Sequence, residues 1–230
     1  MAAIRDIDVV VLDVLGTLVD EPGGLRSAIR EAVPASDEET VDDLLDLWLR
    51  HSEREQRRIA QGRRPYATSE TLDAEAARKV ADRADVTDPA AVTRLATAGQ
   101  RLSPWADSVT GVEQLARRLP VFGLSNAGRT TLERLSAHVG LRRHQALSGE
   151  TVRAYKPAPE VYRLAIDTAG CPPERVLMVA AHSWDLRGAR AAGMRTAYVH
   201  RPADDPPTSR DHFDGHFDGM GELVTALTGG

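Results

Sequence analysis

The chain has 230 residues, 42% of them hydrophobic, and a formal net charge of −5. That length allows one sizeable core with an insert, and the acidic balance argues against a nucleic-acid or other polyanion partner. The single Cys171 excludes a disulfide framework and a cysteine-rich zinc site, and is read as structural. No apolar run is long enough to cross a membrane, and the first residues lack a signal-peptide core, so a cytoplasmic location is expected.

The first predicted element is Val9-Val10-Val11-Leu12-Asp13. A continuous apolar run of this kind is a strand buried on both faces, as in a parallel sheet. Gly16 and Thr17 turn the chain, which leaves Asp13 at the carboxyl end of the strand, where open α/β sheets place their ligands. Pro22-Gly23-Gly24 reads as a loop, with a helix from Leu25. Ser36 and Glu39 have capping-box spacing. Val41, Leu44, Leu45 and Trp48 then mark a helix that runs through Arg58. Further helices start at Thr68 and at Asp88-Pro89. Residues 19–100 hold no strand-like run and are expected to form a helical cap inserted after the first strand. The core is then 1–18 with 101–230.

Beyond the insert, helices and strands alternate. A helix near 111–118 leads to the strand Val121–Leu124, which ends at Ser125-Asn126. A helix over 130–139, a short strand near 146–149 and a loop carrying Lys156-Pro157 follow. A helix through Tyr162 leads to the strand Val176–Ala180, which ends near His182 and Asp185. A helix closing at Gly193, a strand over 196–199, a loop over 202–221 and a helix over 222–227 complete the chain. This alternation predicts an α/β, Rossmann-like, doubly wound parallel sheet.

In a parallel sheet these strand ends share one edge. Asp13 and Thr17, Ser125 and Asn126, Lys156, and Asp185 can therefore converge. A carboxylate, hydroxyl and amide donors, a cation and a second carboxylate suit covalent catalysis by an aspartate.

The order Asp13-x-x-Gly16-Thr17, Ser125-Asn126, Lys156-Pro157 and a late Asp185 resembles the haloacid dehalogenase superfamily over nearly the whole chain. Leu124-Ser125-Asn126, the run from Ala154 to Tyr162 and the run from Val179 to Ala189 place the resemblance nearest the (S)-2-haloacid dehalogenase branch. Phosphatases of the superfamily carry an acid two residues after the nucleophile and another four before the last aspartate. Those positions are Leu15 and Ala181 here. Leucine donates no proton, and the loss of both acids argues against phosphoryl transfer and a strong magnesium site. No cofactor or metal is expected.

The resemblance implies a hydrolase that releases halide from a small 2-haloacid. Asp13 would form an ester that water hydrolyses. Lys156 would hold Asp13 ionised, and Asp185 would direct the water. Thr17, Ser125 and Asn126 would orient carboxylates, and Asn126 would also cradle halide. The branch binds halide or substrate carboxylate with a cap arginine, for which Arg50, with Arg54 as competitor, is the expectation. Tyr66, Leu15, His182 and Tyr162 complete the expected substrate pocket, and a homodimer is implied. The alternatives are a phosphatase that tolerates Leu15 and an idle binding protein of the same fold.

Overall fold

β1 (Val9–Asp13) is buried along its whole length. Its residues alternate between two apolar clusters. Val9 and Val11 enter one, Val10 and Leu12 the other. The computed structural model describes residues 4, 6–141, 145–202 and 205–229. Its strands are β1, β2 (Val121–Ser125), β3 (Gln145–Ser148), β4 (Val176–Ala180), β5 (Arg195–Val199) and β6 (Gly215–Phe217). They form one sheet in the order β3-β2-β1-β4-β5-β6, with every pairing parallel. β1 is thus central, between β2 and β4.

The helices are α1 (Glu21–Ala32), α2 (Glu38–Ala60), α3 (Ser69–Arg83), α4 (Pro89–Ala96), α5 (Ser108–Ala116), α6 (Arg129–Val139), α7 (Pro159–Ala169), α8 (Ser183–Ala191) and α9 (Met220–Thr228). α7 and α8 cover one face of the sheet through Val161, Tyr162, Leu186 and Ala189. α5 and α9 cover the other through Val112, Leu115, Leu223 and Val224. A side chain buried on either face removes apolar area from water, at about 25 cal/mol per Å².

α1 to α4 follow β1 and build their own apolar cluster. Leu25, Ile29, Leu44, Trp48, Ala77 and Leu95 belong to it. α2 presents Val41, Leu44, Leu45, Trp48, His51 and Glu55 inward, at helical spacing.

Three details depart from the sequence reading. Pro22-Gly23-Gly24 lies inside the first turn of α1, because Asp20 accepts a hydrogen bond from Gly23 N at 2.9 Å and caps the helix there. α2 is capped by Asp37, which accepts from Thr40 N, and not by Ser36. The expected loop over 202–221 contains β6, a three-residue strand on β5. The expectation for 203–204 lies outside the described residues.

Candidate active site

Asp13 ends β1 and is 3% exposed. Thr17 Oγ1 donates to its Oδ2 at 2.6 Å, and Lys156 Nζ donates to its Oδ1 at 2.6 Å. Thr17 Oγ1 in turn accepts from Ala181 N at 3.0 Å, which ties the loop after β1 to the end of β4. The turn between them needs Gly16. Its φ is +77°, and a Cβ there would sit 2.5 Å from His182 Nε2. Trp105 Nε1 donates to Gly16 O at 3.0 Å, and Arg201 Nε donates to Thr17 O at 2.9 Å, so the turn is braced from outside as well.

Lys156 is buried, and its three protons all have acceptors: Asp13 Oδ1, Asp185 Oδ2 at 2.5 Å and Leu124 O at 3.2 Å. Burial works against its charge, but the two carboxylates outweigh it and raise the ammonium pKa, so the lysine stays protonated. Asp185 is fully buried in the first turn of α8. Burial pushes its pKa up and the Asp13 charge adds to this, while Lys156 and Tyr162 oppose. Tyr162 Oη donates to Asp185 Oδ1 at 2.7 Å. Gly188 makes that reach feasible, since a Cβ there would lie 2.4 Å from the Tyr162 hydroxyl oxygen.

Ser125 reaches the same edge, but its hydroxyl accepts from Ala127 N at 3.1 Å and so shapes the turn that carries Asn126. Asn126 Oδ1 accepts from Lys156 N at 2.7 Å, and its Nδ2 donates to Gln56 Oε1 of α2 at 3.3 Å. His182 Nε2 lies 3.3 Å from Leu15 O, and its ring stacks on Trp184 with 5.8 Å between centroids.

Beside these groups lies a small cavity of about 60 Å³ between α1–α3 and the carboxyl edge of the sheet. Leu15, Asn126, Trp48 and Gln56 line it, together with Glu21 and Asp73. A larger surface cleft of about 720 Å³ opens where Arg195 begins β5 and Gly215 begins β6. Those are amino ends of strands, so this cleft lies on the opposite edge from Asp13.

Arg50, Tyr66, His182 and Tyr162, all expected at the pocket, are not among the cavity residues, and neither is the competitor Arg54. Arg50 is turned outward, with its side chain 67% exposed, and pairs with Asp46 at 2.8 Å. It is two residues from the inward Trp48, which is roughly 200° around the helix. Arg54 is also outside, against Glu55 and His51. Tyr66 packs on Tyr155 with centroids 5.6 Å apart, under Arg153, and is not among the cavity residues. Tyr162 meets Asp185 and not the cavity. Sequence reasoning missed Glu21, Asp73, Ser52 and Gln56. The signal for Ser52 and Gln56 was available, because they follow Trp48 at four-residue intervals.

A divalent metal does not fit this arrangement. Lys156 already takes one oxygen of each carboxylate, and Leu15 and Ala181 offer no side-chain oxygen. Among the described residues, no group of three or more acidic, histidine or cysteine side chains is arranged to hold a metal.

An aspartate at a central strand end, paired with a lysine that it shares with a second aspartate, lies on the sheet edge where open α/β sheets bind their ligands. A family model described as haloacid dehalogenase-like hydrolase matches residues 7–193, and the chain belongs to that family. The (S)-2-haloacid dehalogenase H-109 of Pseudomonas putida is 30% identical over 201 residues, which are 86% of this chain and 87% of that protein. The crystal structure of an L-2-haloacid dehalogenase superposes with a TM-score of 0.88 at 26% identity, covering 97% of this chain and 100% of the other. That of a defluorinating L-2-haloacid dehalogenase gives 0.87 at 25% identity, covering 97% and 96%.

Proposed function

We propose that the protein releases halide from a small 2-haloacid by hydrolysis through an ester on Asp13. The observation that carries this is the Lys156 ammonium held 2.6 Å from Asp13 and 2.5 Å from Asp185. It keeps Asp13 anionic at the strand end, and each Asp13 oxygen accepts one hydrogen bond and keeps a further lone pair. An Asp13 oxygen attacks the halogen-bearing carbon. The C–O bond forms as the carbon–halogen bond breaks, and halide leaves with the electron pair and needs no proton.

Water then attacks the ester carbonyl carbon of Asp13. Asp185, whose pKa burial raises, takes the water proton. The acyl C–O bond breaks, the 2-hydroxyacid leaves with that proton, and Asp13, left with the other proton of the water, releases it to solvent and is restored as the carboxylate. Lys156 and Thr17 orient Asp13, Tyr162 and Lys156 orient Asp185, and Asn126 and Leu15 face the substrate. α1 to α4 are read as the cap, over 19–100, with the core formed by 1–18 and 101–230. In line with the family resemblance, the assembly is a cytoplasmic homodimer.

One turnover in heavy-oxygen water with enzyme in excess tests the route. Solvent oxygen is expected on Asp13, and the first product is expected to be unlabelled. Label in the first product, with none in the Asp13 peptide, would mean direct attack of water on carbon and would overturn the ester.

A further inference from the structure

Among the described residues, the cavity beside Asp13 is lined by two carboxyl side chains and by no lysine or arginine. Building on the displacement at Asp13, we propose that the preferred substrate is a short haloacid that also carries an amino group, which docks as an ammonium against Glu21 and Asp73.

The charge count points this way. Asp13 and Asp185 together meet the single Lys156. A plain haloacid brings a further negative charge into that surplus. Arg50 and Arg54, which could have met it, face away from the cavity. An ammonium group offsets the substrate's own carboxylate, so that the bound molecule is neutral overall.

The lining offers what an ammonium needs. Glu21, at the start of α1, and Asp73, on α3, have no ion-pair partner among the described residues, so their oxygens are free to accept. Ser52 Oγ is buried without a hydrogen-bond partner and adds a third oxygen. Trp48, which also lines the cavity, supplies an aromatic surface of the kind that attracts cations. About 60 Å³ is room for the amino end of a short chain, with its carboxylate end outside the cavity toward Asp13.

Burial supports the assignment further. It pushes Glu21 up to about 7, with Asp13 adding to the rise and His182 and Lys156 opposing. It pushes Asp73 up to about 8, with Glu21 and Glu70 adding to the rise. Near neutral pH the free cavity therefore holds protons that an incoming ammonium displaces.

The test compares 4-aminobutanoate, butanoate and succinate by calorimetry on the whole wild-type protein, at pH 6.5, in two buffers of different ionisation heat. 4-Aminobutanoate is expected to bind about tenfold more tightly than butanoate, as charged hydrogen bonds of this kind imply, and to release protons to the buffer. Succinate is expected to bind most weakly. Glu21→Gln and Asp73→Asn should each shrink the preference and the proton release. Butanoate or succinate binding as well as the amine would overturn the proposal.

Halide release from 4-amino-2-chlorobutanoate against 2-chlorobutanoate separates this proposal from the reaction it builds on. A kcat/KM ratio of about ten in favour of the amine is expected, falling toward one in Glu21→Gln. Equal halide release from both would overturn the amine pocket and leave the dehalogenation standing. No halide from either, with the amine still preferred in binding, would overturn the reaction and leave the pocket assignment standing.

Discussion

Lys156 is the residue that joins the two aspartates of the centre. Its ammonium is the shared partner of Asp13 and Asp185, both buried. Removing one member of a buried ionic set leaves charge uncompensated, at a cost of about 3–5 kcal/mol. Lys156→Met is therefore expected to lose halide release and to be destabilised by roughly that amount at pH 8. The sign of the pH dependence follows. Without the lysine, Asp185, whose folded pKa burial already raises, loses the charge that opposes the rise, so it favours the folded state below its unfolded pKa, and that contribution is lost as pH rises through the folded pKa. Denaturant unfolding at pH 4.5 and pH 8 should show a deficit much smaller at the lower pH. Equal deficits at both would mean that packing, and not charge, is what the lysine supplies.

The meeting of Asp13, Thr17, Lys156 and Asp185 was legible because each sits at a predicted strand end or in a turn or loop beyond one, and one sheet edge gathers them. Glu21 and Asp73 were not. In sequence they look like an ordinary first-turn acid and an ordinary helix-surface acid. Only the packing of α1 and α3 over the sheet turns them toward a cavity. Arg50 shows the opposite failure. Its place next to Trp48 in sequence put it across the helix from Trp48 in space.

At the scale of elements, the strands read plainly and the joints between elements did not. β1, β2 and β4 are buried on both faces and so are continuous apolar runs. β6 is a short edge strand, Gly215-His216-Phe217, with too little apolar content to stand out. The contacts between α3 and α6 are also invisible in sequence. Ser69 Oγ accepts from Gly128 N at 2.7 Å, and Thr131 Oγ1 donates to Glu70 Oε1 at 3.0 Å. They join the helices that follow β1 to the helix that follows β2, next to Asn126. Ser69→Ala leaves a buried N–H without an acceptor, so a loss of about 1–3 kcal/mol is expected. It should also raise KM for haloacid more than it lowers kcat, because the cavity wall loosens while the Asp13 centre keeps its contacts. Unfolding curves and steady-state kinetics on the purified variant check both. A fall in kcat with KM unchanged would place Ser69 in the support of the chemistry instead.

At the scale of the whole molecule, the parallel sheet decides where charge gathers. Strand order β3-β2-β1-β4-β5-β6 puts β1 between β2 and β4, so Asp13 is flanked by the turn bearing Asn126 on one side and by His182 and Asp185 on the other. Lys156 enters between them from the loop before α7. The ammonium occupies the gap between the carboxylates that a hard cation would need. Leu15 and Ala181 leave such a cation without the extra oxygens that would let it compete. Halide departure, moreover, calls for no proton and no bridging charge on a phosphoryl group. Halide release is therefore expected to be unchanged after exhaustive treatment with EDTA and unchanged again on adding millimolar magnesium. The measurement is a halide assay on a 2-haloacid, run beside a phosphate-release assay on small phosphate esters. Activity abolished by EDTA and restored by magnesium, with phosphate released in place of halide, would show that a metal enters the centre despite Lys156, and the carboxylate would then be attacking phosphorus and not carbon.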